Sequence, residues 1–393
     1  MDTAAIQAWL DSAPNAERSG DFRTIRPERM RAFLARLPAP PAPCTVAGTK
    51  GKGSTVRLIE AALNGNALAT VAFSSPHVVS VMERWRIDGA EADPAVIAPL
   101  CQRVESEEFA AGIRLSWFER TFAVACLLAY ERQCAFICEV GLGGRLDATN
   151  ALDAAVAVLT QVSHDHREVL GPTTWHIAHE KLAISRAGRP LVIAPQDPAT
   201  ALAVWHRQPP GREVRWAQRA LHPFDLALAG EHQQDNAATA MLAAQLYRPG
   251  IDLGLARAGM RTATLPARCQ LVGRVLVDGA HNGPSLHAAI AVATTCFAPG
   301  WTLLLGTARD KEIDEMLATI PAGMPVVRCS FASPRARGET DWPEAARRWP
   351  WHADVAAAIA ATPGKLLVAG SLYLAGEALL ALRLPDQGEG RAG

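Results

Sequence analysis

The chain has 393 residues, of which 49% are apolar and 20% charged, a composition typical of a soluble globular enzyme. Lysine plus arginine equals aspartate plus glutamate at 39 each, which predicts neither a nucleic acid nor a membrane surface as partner. The eight cysteines form no C-x-x-C pair and no zinc-ligand spacing, which favours a reduced, cytoplasmic compartment. We find no signal-peptide pattern at the N-terminus and no apolar run long enough to span a bilayer.

A glycine-rich loop follows the first predicted strand. Helices are predicted at 5–10 and 27–37, and a buried strand at 45–47. The loop reads Cys44-Thr-Val-Ala-Gly-Thr-Lys-Gly-Lys-Gly-Ser-Thr55, and apolar residues at helical spacing begin directly after it. A strand, a glycine loop and a helix N-terminus bind phosphate through backbone amides and the helix dipole. The spacing departs from the usual G-x-x-x-x-G-K-[ST], so an ordinary glycine-rich turn is the alternative, although two lysines would serve no packing purpose there.

Polar side chains follow the next predicted strands. The strand at 70–73 runs into Ser75-Pro-His77, and the strand at 135–140 carries Glu139, a buried carboxylate that needs a partner or a metal ion. The strand at 154–160 is followed by His164-Asp-His166, which suggests metal binding or acid–base chemistry. An ordinary capping turn and a solvated polar turn are the alternatives. Lys181, in a helix predicted at 175–187, reads on its sequence alone as a solvated surface lysine.

The alternation of strands and helices predicts an α/β fold with a mainly parallel, doubly wound sheet and ligands at the carboxyl ends of its strands. After a linker at 261–265 the pattern restarts, and its first strand ends in Asp278-Gly-Ala-His-Asn282. We therefore predict two domains, 1–262 and a smaller 263–393, with disorder at 386–393. The later strands are predicted at 191–194, 274–277, 302–305, 325–328 and 365–368.

Several of these motifs together resemble one family, the dihydrofolate synthases and folylpolyglutamate synthases of the Mur ligase superfamily. The most specific string is Glu139-Val-Gly-Leu-Gly-Gly-Arg-Leu-Asp-Ala-Thr-Asn150, and the glycine loop alone is much less specific. The resemblance runs from about residue 22 to residue 382. Its other motifs are Ser75-Pro-His77, Glu83-Arg-x-Arg-Ile-x-Gly89, Glu180-Lys181, Gly230-x-His-Gln-x-x-Asn236, Asp310-Lys311 and Gly370-Ser-Leu-Tyr373.

The resemblance implies a P-loop-like ATPase domain, a Rossmann-like C-terminal domain and a cytoplasmic monomer. The implied reaction joins L-glutamate to a pterin carboxylate through an acyl phosphate, and converts ATP into ADP and phosphate. The implied cofactors are ATP, two Mg²⁺ ions and a carbamylated lysine at Lys181. Catalytic roles fall on Lys52, Lys181 and His166, and the metal ligands are Ser75, Glu139 and His166.

Two further sets of residues follow from the resemblance. The nucleotide-binding positions are Thr49, Lys50, Gly51, Lys52, Gly53, Ser54, Asn236, Arg268, Asp278 and His281. The positions that line the pterin pocket are Ser116, Trp117, Phe118, Glu119, Leu146, Asp147 and Ala148. For the acid substrate, Trp117 and Phe118 could supply the aromatic slot, and Asp147 or Glu119 the carboxylate that accepts from the pterin ring.

Departures from the family pattern bear on the substrate. Lys50 stands where the family usually has asparagine, and Leu265-Pro-Ala-Arg268 replaces the usual Pro-Gly-Arg. His164 and Arg167 stand where the family usually has leucine and threonine, and Thr24-Ile-Arg-Pro-Glu-Arg-Met30 lacks the usual Gly-Leu. A related ligase that acts on another pterin or a non-folate acid therefore stays an alternative. A nucleotide-binding protein without turnover is the other alternative, which retention of the catalytic and metal positions argues against.

Overall fold

The computed structural model describes residues 1–16, 27–164, 166–208, 210–219 and 222–383. The chain divides into two compact units: unit 1 is Met1–Ala227 with Glu231–Ala263, and unit 2 is Leu228–Gly230 with Thr264–Gly393. Asp165, residues 24–26 of the N-terminal segment and the predicted disorder at 386–393 lie outside the described residues. Within those ranges, no helix is both long and apolar enough to cross a membrane.

In the described part of unit 1, eight strands form one sheet in the spatial order β4-β3-β2-β5-β1-β6-β7-β8. Pairing is parallel from β2 to β8, and β3 and β4 add an antiparallel edge. This confirms the predicted α/β fold with a mainly parallel sheet. The strands are β1 (Cys44–Ala47), β2 (Thr70–Phe73), β3 (Trp85–Ile87), β4 (Ala90–Glu91), β5 (Ala135–Glu139), β6 (Val156–Leu159), β7 (Pro190–Ile193) and β8 (Glu213–Trp216).

Several helices of unit 1 begin at a side-chain cap. The helix after Ser116 starts with a capping box, in which the Ser116 and Glu119 side chains each bond to the other's backbone amide. The described helices are α1 (Thr3–Asp11), α2 (Pro27–Leu34), α3 (Lys52–Gly65), α4 (Pro94–Ala111), α5 (Trp117–Arg132), α6 (Arg167–Leu170), α7 (Thr174–Leu182), α8 (Pro198–Arg207), α9 (His232–Tyr247) and α10 (Leu253–Arg261). A 3-10 turn at Ala148–Ala151 follows β5.

Two clusters of buried apolar side chains pack around the strands that carry the predicted site. One joins α1, α2, α4 and α5 to β2 and β5 through residues such as Phe33, Phe122 and Phe136. The other joins β6, β7 and α7 through residues such as Leu159 and Ile177. Both clusters reach the strands that carry the predicted site, so the carboxyl ends of β1, β2, β5 and β6 are anchored by packed cores.

The described part of unit 2 contains a six-stranded sheet in the order β13-β12-β11-β14-β10-β9. Its strands are β9 (Gln270–Val272), β10 (Val275–Val277), β11 (Thr302–Leu305), β12 (Val326–Cys329), β13 (Trp351–His352) and β14 (Leu366–Ala369), and β9 alone of these pairs antiparallel. The helices are α11 (Gly283–Phe297), α12 (Ile313–Ala318), α13 (Glu344–Arg347), α14 (Val355–Ala361) and α15 (Leu372–Arg383). One apolar cluster packs α11 and α12 on this sheet.

The structure adds elements that the sequence pattern did not predict. Of the unpredicted strands, β4, β8, β9 and β13 lie at sheet edges, and β3 lies next to the edge strand β4. Helices α4, α6, α8 and α10 were also missed. Two predicted helices are shorter than expected, since α2 ends at Leu34 and α7 at Leu182. The nine predicted strands correspond to observed strands, with the boundaries shifted by at most two residues.

Candidate active site

The glycine-rich loop joins the end of β1 to the start of α3, whose first turn contains Lys52, Gly53 and Ser54. Gly51 caps this helix in the left-handed region, with φ of 84°. A Cβ on Gly51 would lie 2.3 Å from Oδ1 of Asn236, so a side chain is excluded at this position. The loop and Asn236 on α9 are therefore in close contact, and both were predicted to contact the nucleotide. The N-terminus of α3, where they meet, is suited to binding phosphate.

The loop is fixed by the segment that follows β6. The amides of Thr49 and Lys50 both donate to the carbonyl of Gln161, at 2.9 and 3.1 Å. The Thr160 hydroxyl donates to the Lys50 carbonyl at 2.7 Å, and the Thr49 hydroxyl donates to the Ser163 carbonyl at 3.1 Å. These bonds fix the backbone of the loop against the segment that follows β6.

Lys181 lies beneath this loop. Its side chain is 4% exposed, and Nζ donates to the carbonyl of Gly48 at 2.8 Å. The interpretation of Lys181 as a solvated surface lysine is therefore wrong. The sequence pattern could not show this, because the burial depends on how α7 packs against the residues after β5.

The packing of α7 depends on a glycine and an ion pair. A Cβ on Gly144 would lie 2.8 Å from the carbonyl oxygen of Glu180 and 3.1 Å from that of Lys181. The Arg145 amide donates to the Glu180 carbonyl at 2.9 Å, and Arg145 Nε donates to Glu180 Oε1 at 2.8 Å. The Gly-Gly-Arg sequence therefore brings the last turn of α7, with Lys181, against the glycine loop.

Glu139 ends β5 directly beside the strand that leads into the glycine loop, with Glu139 in register with Val46. Its side chain is buried, and Oε2 accepts from the amide of Ser75 at 3.1 Å. Ser75, at the end of β2, is buried as well. The structure thus brings together two of the three residues predicted to bind metal, at the edge of the sheet where the phosphates are expected.

His166, the third of these residues, precedes α6 in a left-handed conformation with φ of 47°. Its side chain is 41% exposed, and Nδ1 lies 3.7 Å from Oε1 of Glu168. Within the described residues, no three His, Cys, Asp or Glu side chains form a metal cage. Magnesium is usually held by one or two carboxylates together with substrate phosphates. A buried carboxylate and a hydroxyl beside a phosphate loop therefore fit this ion.

The loop that carries Ser75 takes its shape from the Glu83-Arg84 pair of the family motif. The Glu83 carboxylate accepts from the amides of Val78, Val79 and Ser80 at 2.7, 2.7 and 2.9 Å. Arg84 is buried, its Nε donates to His77 Nδ1 at 3.0 Å, and its guanidinium stacks 4.4 Å from the Trp117 ring. The motif therefore organises the backbone next to the predicted metal ligand.

The residues predicted to line the acid pocket lie at the start of α5 and in the turn after β5. Trp117 is buried and donates through Nε1 to Asp11 Oδ1 at 3.0 Å, whereas Phe118 packs edge-on against Phe73. A Cβ on Gly141 would lie 2.8 Å from Phe118 Cζ and 3.2 Å from Oδ2 of Asp147. Phe118 and Asp147 therefore both border Gly141. Of the other predicted pocket residues, Leu146 is exposed, and Ala148 and Glu119 are buried.

Asp147 caps the turn that follows it. Oδ1 accepts from the amide and hydroxyl of Thr149 at 3.0 and 2.6 Å, and Oδ2 accepts from the Leu142 amide at 3.0 Å. Burial raises the pKa of Asp147 above its ordinary value, although the hydrogen bonds from Thr149 and Leu142 act in the opposite direction. A buried aspartate at this position can accept from a ligand donor through the remaining lone pairs of its oxygens.

In unit 2, the predicted nucleotide-binding residues surround Gly279. The Arg268 guanidinium lies close by, since a Cβ on Gly279 would lie 3.4 Å from Nη1. Asp278 Oδ2 accepts from the Cys269 amide at 2.8 Å, and Oδ1 accepts from the Ala280 amide at 2.8 Å. Nδ1 of His281 lies 2.9 Å from the Gly279 carbonyl. Arg268, Asp278 and His281 thus form one cluster at the carboxyl end of β10.

Sequence reasoning missed residues that hold the site without a motif signal of their own. Thr160 and Gln161 fix the glycine loop, but nothing in a strand end predicts that contact. Arg145 lies inside the specific 139–150 string, where its charge next to two glycines was a usable signal. Arg29 pairs with Glu119 at 2.6 Å, and it could have been selected from the sequence because it lies in the N-terminal segment 24–30.

The mainly parallel sheet and the glycine loop at the end of β1 define the class of protein, an α/β protein with a phosphate-binding type of loop. No protein-family model matches the chain. It is 33% identical over 336 residues to the dihydrofolate synthase/folylpolyglutamate synthase of Escherichia coli (strain K12), a match covering 80% of this chain and 78% of that protein. It is 27% identical over 428 residues to the folylpolyglutamate synthase of Lacticaseibacillus casei, covering 95% and 97%.

Solved structures agree with these relatives. E. coli FolC in complex with DHPP and ADP has a TM-score of 0.83 at 28% identity, covering 96% of this chain and 97% of that chain. Mycobacterium tuberculosis folylpolyglutamate synthase in complex with ADP and AMPPCP has a TM-score of 0.82 at 25% identity, covering 98% and 99%. The chain belongs to the dihydrofolate synthase/folylpolyglutamate synthase family.

Proposed function

We propose that this ATP-dependent glutamate ligase joins the amine of L-glutamate to a pterin carboxylate, either dihydropteroate or a reduced folate. The observation that carries the proposal is the buried Glu139, bonded to the Ser75 amide at 3.1 Å beside the glycine loop. A carboxylate in that position can hold a cation against the transferring phosphoryl group, which is the main electrostatic demand of the reaction.

The reaction needs two steps. An oxygen of the acid carboxylate attacks the γ-phosphorus of ATP, the bond to ADP breaks, and an acyl phosphate forms. The glutamate amine then attacks the acyl carbon, phosphate leaves, and the nitrogen loses a proton. Loop amides from Thr49 to Ser54 and the Lys52 ammonium would hold the triphosphate in line for the first step.

Ser75 and Glu139 would hold a first Mg²⁺, and Glu139 and His166 a second. When bound, these ions would offset negative charge on the phosphoryl group. Carbamylation of Lys181 would convert a buried cation into a carboxylate near the metal sites. A carbamate keeps one N–H on Nζ, so the 2.8 Å hydrogen bond to the Gly48 carbonyl is compatible with the modified residue.

The nucleotide would also be contacted by Asn236 and by the cluster of Arg268, Asp278 and His281. Under this proposal, 1–262 is the Mur-ligase-type ATP-binding domain and 263–393 the Rossmann-like glutamate-ligase domain. We expect a monomer in the cytoplasm. The compartment is supported by the eight cysteines, which are all free thiols.

The acid pocket would use Phe118 as its aromatic wall and Asp147 as the acceptor for pterin N–H groups. The remaining pocket positions are Ser116, Trp117, Glu119, Leu146 and Ala148. If the departures in the N-terminal segment reshape only the rim of the pocket, the enzyme is bifunctional and accepts both dihydropteroate and tetrahydrofolate.

The test is phosphate release with ATP and Mg²⁺ across a grid of acids and amino acids, with mass spectrometry of the products. We expect release that requires both an acid and L-glutamate, with dihydropteroate and tetrahydrofolate as substrates. Glutamylation of another acid alone would indicate a related ligase. ATP binding without phosphate release under any combination would indicate a protein that binds the nucleotide without turnover.

A further inference from the structure

An ion pair joins helix α2 to the start of α5. Arg29 Nε donates to Glu119 Oε1 at 3.0 Å, and Nη2 donates to Oε2 at 2.6 Å. The Glu119 side chain is 5% exposed and that of Arg29 is 30% exposed. Two parallel N–H···O bonds of this kind fix the relative orientation of both side chains as well as their distance.

The remaining bonds of Glu119 also go to protein. Oε2 accepts from the Ser116 amide at 2.7 Å, so both carboxylate oxygens are bonded within the chain. The Glu119 amide in turn donates to the Ser116 hydroxyl at 3.3 Å. Glu119 is therefore committed to Arg29 and to the start of α5.

A second arginine of α2 reaches the other stretch of the predicted pocket. Arg31 Nη2 donates to the carbonyl of Asn150 at 3.2 Å, in the turn that Asp147 caps. Helix α2 is itself anchored, since Met30 and Phe33 are fully buried. One well-anchored helix thus contacts the start of α5 and the turn at Ala148–Ala151 that follows Asp147.

We propose that Arg29 is a positioning residue for the acid substrate, acting through Glu119. The inference rests on the proposed function, which assigns 116–119 to the pterin pocket. Phe118 precedes Glu119 in the chain, so the ion pair sets where the Phe118 ring lies relative to Asp147 across Gly141. Loss of Arg29 leaves a buried carboxylate without its partner, and the start of α5 must rearrange to reach water or another donor.

The test compares steady-state constants of the parent, Arg29→Met and Arg29→Lys, using dihydropteroate and tetrahydrofolate as probes. We expect Arg29→Met to raise the KM for the acid about tenfold while the KM for ATP stays within about twofold of the parent. Arg29→Lys keeps the charge but cannot form both bonds, so it should restore the acid KM in part. A role in folding alone would move the unfolding temperature without this split between acid and ATP.

Arg120 offers a matched control on the same helix. Its Nε donates to Glu108 Oε2 at 2.9 Å, and the two side chains are 12% and 8% exposed. This pair joins α5 to α4, and Arg120 also donates to the Trp9 carbonyl at 2.7 Å. Arg120→Met should therefore lower the unfolding temperature at least as much as Arg29→Met, with the acid KM unchanged.

A double variant covers the case in which Arg29→Met does not fold. Arg29→Met with Glu119→Leu removes both charges, so no unpaired carboxylate stays buried. We expect this variant to fold and to keep the raised acid KM, because the Arg29–Glu119 ion pair is absent. An acid KM equal to that of the parent in the folded Arg29 variants, or an equal rise in Arg120→Met, would overturn the inference. Lack of ligation by the parent enzyme would instead overturn the proposed function.

Discussion

Two carboxylates lie at the carboxyl ends of buried strands, Glu139 after β5 in unit 1 and Asp278 after β10 in unit 2, and they make different contacts. Glu139 accepts from the amide of Ser75, which belongs to a separate strand end and is itself a predicted metal ligand. Asp278 accepts from the amides of Cys269 and Ala280, and so holds two turns around Gly279. The same sequence signal thus selected two carboxylates with different partners: Glu139 is bonded to a predicted metal ligand, and Asp278 to the two turns around Gly279. We predict that loss of the first charge affects turnover more than loss of the second.

Glu139→Gln tests whether Glu139 is a metal ligand. Glutamine keeps the volume and one oxygen for the Ser75 amide, but it removes the charge that would hold Mg²⁺. We expect turnover to fall by about a hundredfold or more, the scale of losing one electrostatic stabiliser of a transition state. Phosphate release at saturating substrates measures this, with the unfolding temperature as control. A normally folded variant with near-parent turnover would contradict the metal assignment.

Lys181→Ala tests whether the buried lysine carries a carbamate that acts together with Glu139. If Lys181 carries a carbamate, the variant loses a negative charge beside the metal sites, and activity should fall to about one hundredth. Acetate should then restore part of the activity, because a small carboxylate can occupy the vacated space. As control, Glu180→Gln removes a neighbouring charge and the pairing with Arg145, and acetate should not rescue it. Equal responses to acetate in both variants would argue against carbamylation.

Asp278→Asn tests whether the carboxylate of unit 2 affects stability and the KM for ATP more than it affects turnover. Asparagine offers one acceptor oxygen where Asp278 uses two, so the amide of either Cys269 or Ala280 loses its partner. A buried amide without a partner costs about 1–3 kcal/mol, which should appear as a lower free energy of unfolding. We expect the KM for ATP to rise about tenfold through displacement of Arg268, with kcat changed much less than in Glu139→Gln. Denaturant unfolding and steady-state kinetics together decide this, and a loss of kcat as large as that of Glu139→Gln would remove the distinction.

The sequence predicted the central strands well because each is a short, continuous apolar run between turns. The edge strands could not be predicted in this way, since β8 alternates between exposed and half-buried residues and β4 is exposed. The candidate site likewise contains some features that the sequence could predict and others that it could not. Motif residues such as Glu139 could be selected from the sequence, whereas the burial of Lys181 depends on the close approach at Gly144, which is a tertiary contact.

The departure at 265–268 leads to the prediction with the smallest effect. Ala267 stands where the family usually has glycine, and its backbone is left-handed, with φ of 53°. Such a conformation costs a residue with a Cβ roughly 1–2 kcal/mol, which glycine avoids. Because Ala267 is fully buried, Ala267→Gly also loses about 0.8 kcal/mol of methyl burial, as well as the entropy cost of glycine in the unfolded chain. These contributions nearly cancel, so we expect the free energy of unfolding to change by less than about 1 kcal/mol.

Ala293→Gly is the matched comparison, because Ala293 is equally buried but lies within helix α11. It loses the same methyl group and the same unfolded-state entropy, yet gains no relief of strain, so it should destabilise by about 2 kcal/mol. The difference between the two variants, about 1–2 kcal/mol in denaturant unfolding, measures the strain at Ala267. Equal losses would mean that the turn before Arg268 is unstrained. In that case the glycine usual in the family is not there for its backbone conformation, and the contacts of Asp278 alone would account for the shape of the turn.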